Sequence, residues 1–186
     1  MVAPPTAMTL EEFLRLPEEK PYLEYEDGVV TPKMSPKAED SVLQTELASL
    51  VNAIVRPTRA GRVFTELRTT YAGRSLVPDV SVYRIERIAL DGRGRPVSDV
   101  TSPPDIAVEI RSHGQSRKSL YNRCLWYVAH GVKVAVLVDD RDESVMVFRP
   151  DTIPLAAESD DPIDLSDVVP GLTFTPAELF SALQIA

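Results

Sequence analysis

The chain has 186 residues, of which 44% are hydrophobic and 26% charged, the size and composition of one soluble globular domain over residues 1–186. Its 28 acidic and 20 basic side chains give a net charge of -8, which argues against a protein that coats nucleic acid non-specifically. One cysteine, Cys124, and two histidines exclude a disulfide framework and a Cys/His zinc centre, so any chemistry must run on carboxylates.

The N-terminus lacks a basic stretch leading into an apolar one, and no apolar run is long enough to span a bilayer, so a cytoplasmic protein without a membrane partner is expected. Thr9 and Glu12 have capping-box spacing and open a short helix that ends at Pro17. Tyr22 to Glu26, Asp27-Gly28 and Val29-Val30 read as a hairpin, because Asp-Gly supplies the positive φ angles of a tight turn; Glu24 is then an acid within a strand. Leu43, Leu47, Leu50, Val51 and Ile54 recur at helical spacing and predict a long amphipathic helix over 36–56, stopped by Pro57.

Three extended runs follow, over 62–66, 68–71 and 76–83, with a turn at Ala72-Gly73. Residues 84–104 read as a long exposed loop, and the apolar run from Asp105 to Ile110 as a central strand. A second long helix is expected from about Gln115 to His130, with Gly131 as its C′ residue, then an antiparallel pair of strands over 134–138 and 144–148. The acidic turn Asp139 to Glu143 joins that pair and is expected to be solvated; a short helix over 176–183 closes the chain. The order predicts an α/β fold, a single domain with one mixed central sheet flanked by helices.

Two acids stand where acids are costly. Asp79 in Leu-Val-Pro-Asp-Val-Ser-Val-Tyr and Glu109 in Ile-Ala-Val-Glu-Ile-Arg are each flanked by aliphatic residues that should be buried. Strand alternation sends Glu109 and Arg111 to one face, so an acid and a cation are expected side by side. This is an arrangement a hard divalent cation would use, with the two carboxylates and the Ile110 carbonyl as ligands. The cation of the triplet would then orient water and stabilise charge on a phosphodiester. A buried structural ion pair produces the same Glu-X-Arg pattern.

Several blocks in order carry a resemblance: Tyr22-Leu23-Glu24-Tyr25-Glu26-Asp27-Gly28, Met34-Ser35-Pro36, Gly61-Arg62-Val63-Phe64, Val77-Pro78-Asp79-Val80, Asp105 to Ile110, and Trp126-Tyr127 through Gly131-Val132 to Leu137-Val138-Asp139. Over roughly residues 8–180 the chain resembles the Uma-type restriction endonuclease family of the PD-(D/E)XK nuclease superfamily. The resemblance implies a restriction-endonuclease-like fold and metal-dependent cleavage of phosphodiester bonds, with DNA as the expected nucleic-acid partner. It makes Asp79 and Glu109 the metal-binding acids and Glu24 an accessory acid. It also places Arg123 where the family has a catalytic lysine, with Arg111 in the older superfamily position for that cation. Asp40 stands in place of the family's histidine and Ser119 in place of an acid. A nuclease fold that binds nucleic acid or protein without cutting is the alternative, and an oligomer, a homodimer in the simplest case, with a relict site is a third reading.

Among other residues, His130 is expected to cap its helix, His113 to lie on the surface, and Cys124, Trp126 and Tyr127 to pack in the core. Arg117 and Lys118 at the start of the second long helix are candidate phosphate contacts. The charge is uneven along the chain: residues 51–130 hold 13 basic and 7 acidic side chains, and both flanking stretches are acidic. The basic stretch carries Asp79, Glu109, Arg111 and Arg123, where a phosphate backbone would approach.

Overall fold

A computed structural model of the chain describes residues 8–184. Helix α1 (Leu10–Leu14) starts at Thr9 with the expected capping box. Strands β1 (Leu23–Glu26) and β2 (Val29–Pro32) form the hairpin, with Asp27 and Gly28 both at positive φ. The first long helix, α2, spans Ala38–Thr58 and runs through Pro57. A proline so close to the C-terminus removes a single intrahelical hydrogen bond, and the chain leaves the helix at Arg59 in the left-handed region instead.

The third extended run is not one strand. After β3 (Gly61–Thr65) and β4 (Thr69–Tyr71), the segment divides into β5 (Arg74–Leu76) and β6 (Val80–Arg84), separated by Val77-Pro78-Asp79. Pro78 has no N–H to give to a ladder, and at this point the chain crosses from one sheet to another. Strand β7 (Ile106–Arg111), helix α3 (Arg117–Ala129), and strands β8 (Val134–Asp139) and β9 (Ser144–Phe148) follow as expected. The sequence reading missed β10 (Leu155–Glu158) and the short pair β11 (Ile163–Asp164) and β12 (Thr173–Phe174), which precede α4 (Pro176–Ser181).

The central sheet has six strands in the order β10-β9-β8-β7-β6-β3, mixed because only β7 and β8 run parallel. A smaller antiparallel sheet, β2-β1-β5-β4, takes the first hairpin, so the expectation of one sheet holds only for the central layer. Alternation along the central strands decides what each face carries. Val80, Val82, Ile106, Val108, Ile110, Val134, Val136 and Val138 pack with Leu43, Leu47, Val51 and Val55 of α2. Ala107, Ala135 and Leu137 turn the other way and pack with Leu120, Cys124, Tyr127 and Val128 of α3. Glu109 lies between Ala107 and Arg111 on this second face, under α3. At the sheet edge Gly61 is required by contact: a Cβ there would stand 2.5 Å from the Tyr83 carbonyl oxygen.

Leu43, fully buried on α2, and Ile153, 85% exposed beyond β9, calibrate the core. Leu43→Ala is expected to lower the unfolding free energy by about 2–5 kcal/mol, read by chemical denaturation. Ile153→Ala should leave it within about 0.5 kcal/mol.

Candidate active site

The β6–β7 ladder stops at the pair Val80–Val108, one residue after Asp79 and one before Glu109. Beyond it the two strands part, and the edge of β7 at Ile110 opens. Asp79 fills that opening: its Oδ2 accepts from the Ile110 N–H at 2.6 Å. Because N–H and C=O of one strand residue face the same edge, the Ile110 carbonyl is on the Asp79 side as well.

The crossover that delivers Asp79 is held by side chains from three elements. The Val77 N–H donates to Glu24 Oε1 at 2.9 Å, and the Val77 carbonyl accepts from Lys33 Nζ at 2.6 Å. Gln44 of α2 donates to the Asp79 carbonyl at 2.7 Å. Lys33 also donates to Asp79 Oδ1 at 2.8 Å. Burial opposes the charge on Lys33, but Asp79, Glu109 and Glu24 outweigh it and hold the ammonium pKa above its ordinary value.

Glu109 is 2% exposed. Tyr127 donates to its Oε1 at 2.6 Å, and Arg123 Nη1 stands 3.8 Å from the same oxygen. Arg123 and Tyr127 are four residues apart, so one helix face aims both at Glu109. Burial pushes the Glu109 carboxyl above the ordinary carboxylate range, against the pull of Arg123 and Lys33. Arg123 is shared further: Nη1 donates to Glu24 Oε1 at 3.1 Å, and Nη2 lies 2.9 Å from Glu24 Oε2 and 2.6 Å from Glu26 Oε1. Glu24 is therefore buried and engaged at both oxygens, by Arg123 and the Val77 N–H, and is not a solvent-facing edge acid.

Arg111 does not stand beside Glu109. Its Nη1 donates to Asp139 Oδ2 at 2.7 Å and its Nε to the Gln115 carbonyl. Arg111 and Asp139 are register partners on parallel strands, and lateral neighbours about 4.8 Å apart are closer than side chains two residues along one strand. For the same reason the turn after β8 is not wholly solvated: Asp139 is buried, and Arg117 lies 3.6 Å from it as well as 2.8 Å from Asp142. Lys118 is exposed, with no ion pair among the described residues. Asp40 is buried and accepts from the Lys37 N–H and Ser112 Oγ, and Ser119 is exposed at the pocket rim.

Of the remaining residues, Cys124 packs in the α3 core, His113 is exposed, and His130 caps α3, stacked on Trp126. Tyr127 is more than packing, since its hydroxyl binds Glu109. The basic middle of the chain also divides. Arg62 and Arg84 sit where β3 begins and β6 ends, the end of the sheet away from Asp79. Sequence reasoning missed Lys33 and Tyr127, both of which touch the acids.

A polar pocket of about 130 Å3, lined by Glu24, Lys33, Glu109, Ser116, Ser119 and Arg123, opens beside the cluster. A mainly apolar pocket of about 70 Å3 against Phe64 and Tyr83 includes none of these residues. Among the described residues no three Asp, Glu, His or Cys side chains converge as a metal-binding group by themselves. The donor chemistry nonetheless fits a hard cation. Asp79 and Val77 already offer a carboxylate and a carbonyl oxygen to a buried ammonium, the Ile110 edge adjoins Asp79, and Glu109 lines the pocket that the same ammonium borders.

No helix among the described residues is long and apolar enough to cross a membrane. The Uma2 family model, described as "putative restriction endonuclease", matches residues 10–177. The crystal structure of "a putative nuclease belonging to DUF820" from Anabaena variabilis is 33% identical, with a TM-score of 0.91 over 95% of this chain and 99% of that one. A cryo-EM structure of a DrdV–DNA complex is 9% identical, with a TM-score of 0.33 over 61% of this chain and 12% of that one. Comparison with curated proteins gave no match.

Arg123 is the cation shared by Glu24, Glu26 and Glu109, so Arg123→Met leaves buried carboxylates without it. The expected loss of unfolding free energy is about 3–5 kcal/mol by chemical denaturation. Exposed Arg141 is the control, with Arg141→Met expected within about 0.5 kcal/mol of wild type.

Proposed function

The chain belongs to the Uma2 family, and on that premise we propose that its carboxylate cluster is the centre of a divalent-metal-dependent endonuclease that hydrolyses phosphodiester bonds, with DNA as substrate. The observation that carries this reading is the opening of the β6–β7 ladder between Asp79 and Glu109: Asp79 binds the opened Ile110 edge, Glu109 lines the adjoining polar pocket, and Lys33 borders both. Asp79, Glu109 and the Ile110 carbonyl would hold Mg2+ or Mn2+. When bound, such an ion supplies an activated water and polarises a phosphoryl oxygen.

The chain's own residues divide the remaining tasks. Arg123 offers a fixed positive charge beside Glu109, where negative charge builds on the phosphate in the transition state. Arginine does not exchange protons near neutral pH, so its contribution is electrostatic. Glu24 and Glu26 fix the direction of that guanidinium, which makes Glu24 a positioning residue. Tyr127 orients the Glu109 carboxyl. Arg117 and Lys118, in the first turn of α3, the end of the helix that carries the pocket residues Ser116 and Ser119, would meet the flanking phosphate backbone, with Lys118 the freer of the two. Arg111, bound to Asp139, has no part in this arrangement.

A second reading rests on a specific feature. Both oxygens of Asp79 and both of Glu24 are already satisfied inside the protein, as they would be in a fold that binds nucleic acid without cutting it.

Incubation of plasmid DNA, single-stranded DNA and RNA with the protein separates the two. Cleavage of DNA is expected with Mn2+ or Mg2+, to be stopped by EDTA and lost in Asp79→Ala. Tyr127→Phe, which removes a hydrogen bond to a ligand carboxylate, is expected to lower it about 10–100-fold. No cleavage above that of Asp79→Ala on any substrate contradicts the enzyme and favours the binding module.

A further inference from the structure

Lys33 reaches the cluster from the loop after β2, outside every segment whose composition suggests catalysis. Its side chain is 10% exposed and its Nζ is bound by the Val77 carbonyl at 2.6 Å and Asp79 Oδ1 at 2.8 Å. It lines the polar pocket of about 130 Å3 with Glu24, Glu109 and Arg123. It also borders a narrow gap with Asp79, Asp40, Ile110 and Ser112. One ammonium thus borders the space beside each acid and is held by a carboxylate and a carbonyl oxygen. These are the donor types that a hard divalent ion takes.

Both Asp79 oxygens are taken, Oδ1 by the Lys33 ammonium and Oδ2 by the Ile110 N–H, and an ammonium and a divalent ion held at contact distance in a poorly hydrated pocket repel more strongly than in water, which favours the ion where the ammonium leaves. Resting on the nuclease reading above, we propose that Lys33 is the counter-ion of the metal-free cluster and that a divalent cation binds by displacing its ammonium from Asp79. The side chain is suited to this exchange. Lysine carries a compact charge on a flexible four-carbon stem, and the residues after it, Met34, Ser35 and Pro36, are exposed. Arg123 is not: its planar fork is fixed by Glu24 and Glu26. The cluster therefore has one fixed cation and one exchangeable one, and metal affinity and the position of Lys33 are two readings of a single equilibrium.

Two measurements test this. The first is calorimetric titration of Mn2+ into wild type, Lys33→Met and Asp79→Asn. Apparent affinity falls with the fraction of molecules whose site is free, so removing the competitor is expected to tighten Mn2+ binding about tenfold, while Asp79→Asn loses it. The second uses unmodified protein: acetylation by an N-hydroxysuccinimide ester, mapped by mass spectrometry. Lys33 is expected to be protected without metal and to become reactive as Mn2+ is added, with exposed Lys118 as the constant reference.

Binding of Mn2+ through Asp79 with unchanged affinity in Lys33→Met, or with Lys33 still protected at saturation, overturns the exchange and leaves the metal-dependent reading intact. No Mn2+ binding to either protein overturns both. If Lys33→Met is unfolded alone, Mn2+ is expected to restore its circular dichroism, since one cation replaces another; a variant that stays unfolded at saturating Mn2+ overturns the proposal.

Discussion

Three carboxylates, Glu24, Asp79 and Glu109, are drawn together in this protein, and the structure around them is the means by which that is tolerated. A buried carboxylate loses hydration worth several kcal/mol unless a cation or hydrogen bonds take its place. Here Lys33 and Arg123 supply the charge, and the Val77 and Ile110 N–H groups and the Tyr127 hydroxyl supply the hydrogen bonds. These groups come from the first hairpin, the β5–β6 crossover, β7 and α3. The cluster therefore ties the small sheet to the central one and α3 to both. The crossover depends on it most directly, because Pro78 interrupts the ladder and the polar groups of Val77 are satisfied by the side chains of Glu24 and Lys33.

The same balance gives the site its chemistry. An acid cluster fully neutralised by immobile partners would be a structural feature alone. This one is unevenly neutralised. Glu24 is locked at both oxygens, whereas Glu109 receives a hydroxyl and a more distant guanidinium, and burial raises its pKa. Asp79 is satisfied by a backbone N–H and by an ammonium on a flexible stem. The two acids that stand on either side of the open β7 edge are thus the ones with replaceable partners, and the acid that positions Arg123 is the one without.

Much of the fold was legible in the sequence because it follows from short-range rules. The capping box at Thr9, the Asp27-Gly28 turn, the apolar spacing in α2 and the run in β7 each act within a few residues, and each appears where expected. Asp79 and Glu109 were recognisable because acids among aliphatic strand residues are costly. What failed were features fixed by tertiary partners. Pro57 lies inside its helix, the 76–83 run divides between two sheets, and Arg111 pairs across the sheet with Asp139 rather than along the strand with Glu109. Asp139 was read as solvated because its cations, Arg111 and Arg117, come from other elements.

Lys33 was missed although a signal existed. The Asp-Gly turn sets Glu24 opposite Thr31, and continuing that register by one pair on the same face puts Lys33 there too; its N–H bonds the Tyr22 carbonyl as that register requires. Tyr127 was hidden among core residues because its ring packs while only its hydroxyl serves the site. The central claim, that this cluster exchanges a protein cation for a divalent one, is tested most directly by anomalous diffraction at the manganese edge from crystals soaked in Mn2+. The account predicts one anomalous peak between Asp79 and Glu109 with the Lys33 ammonium moved off Asp79. A peak elsewhere, or no peak with Lys33 still bound to Asp79, would contradict it.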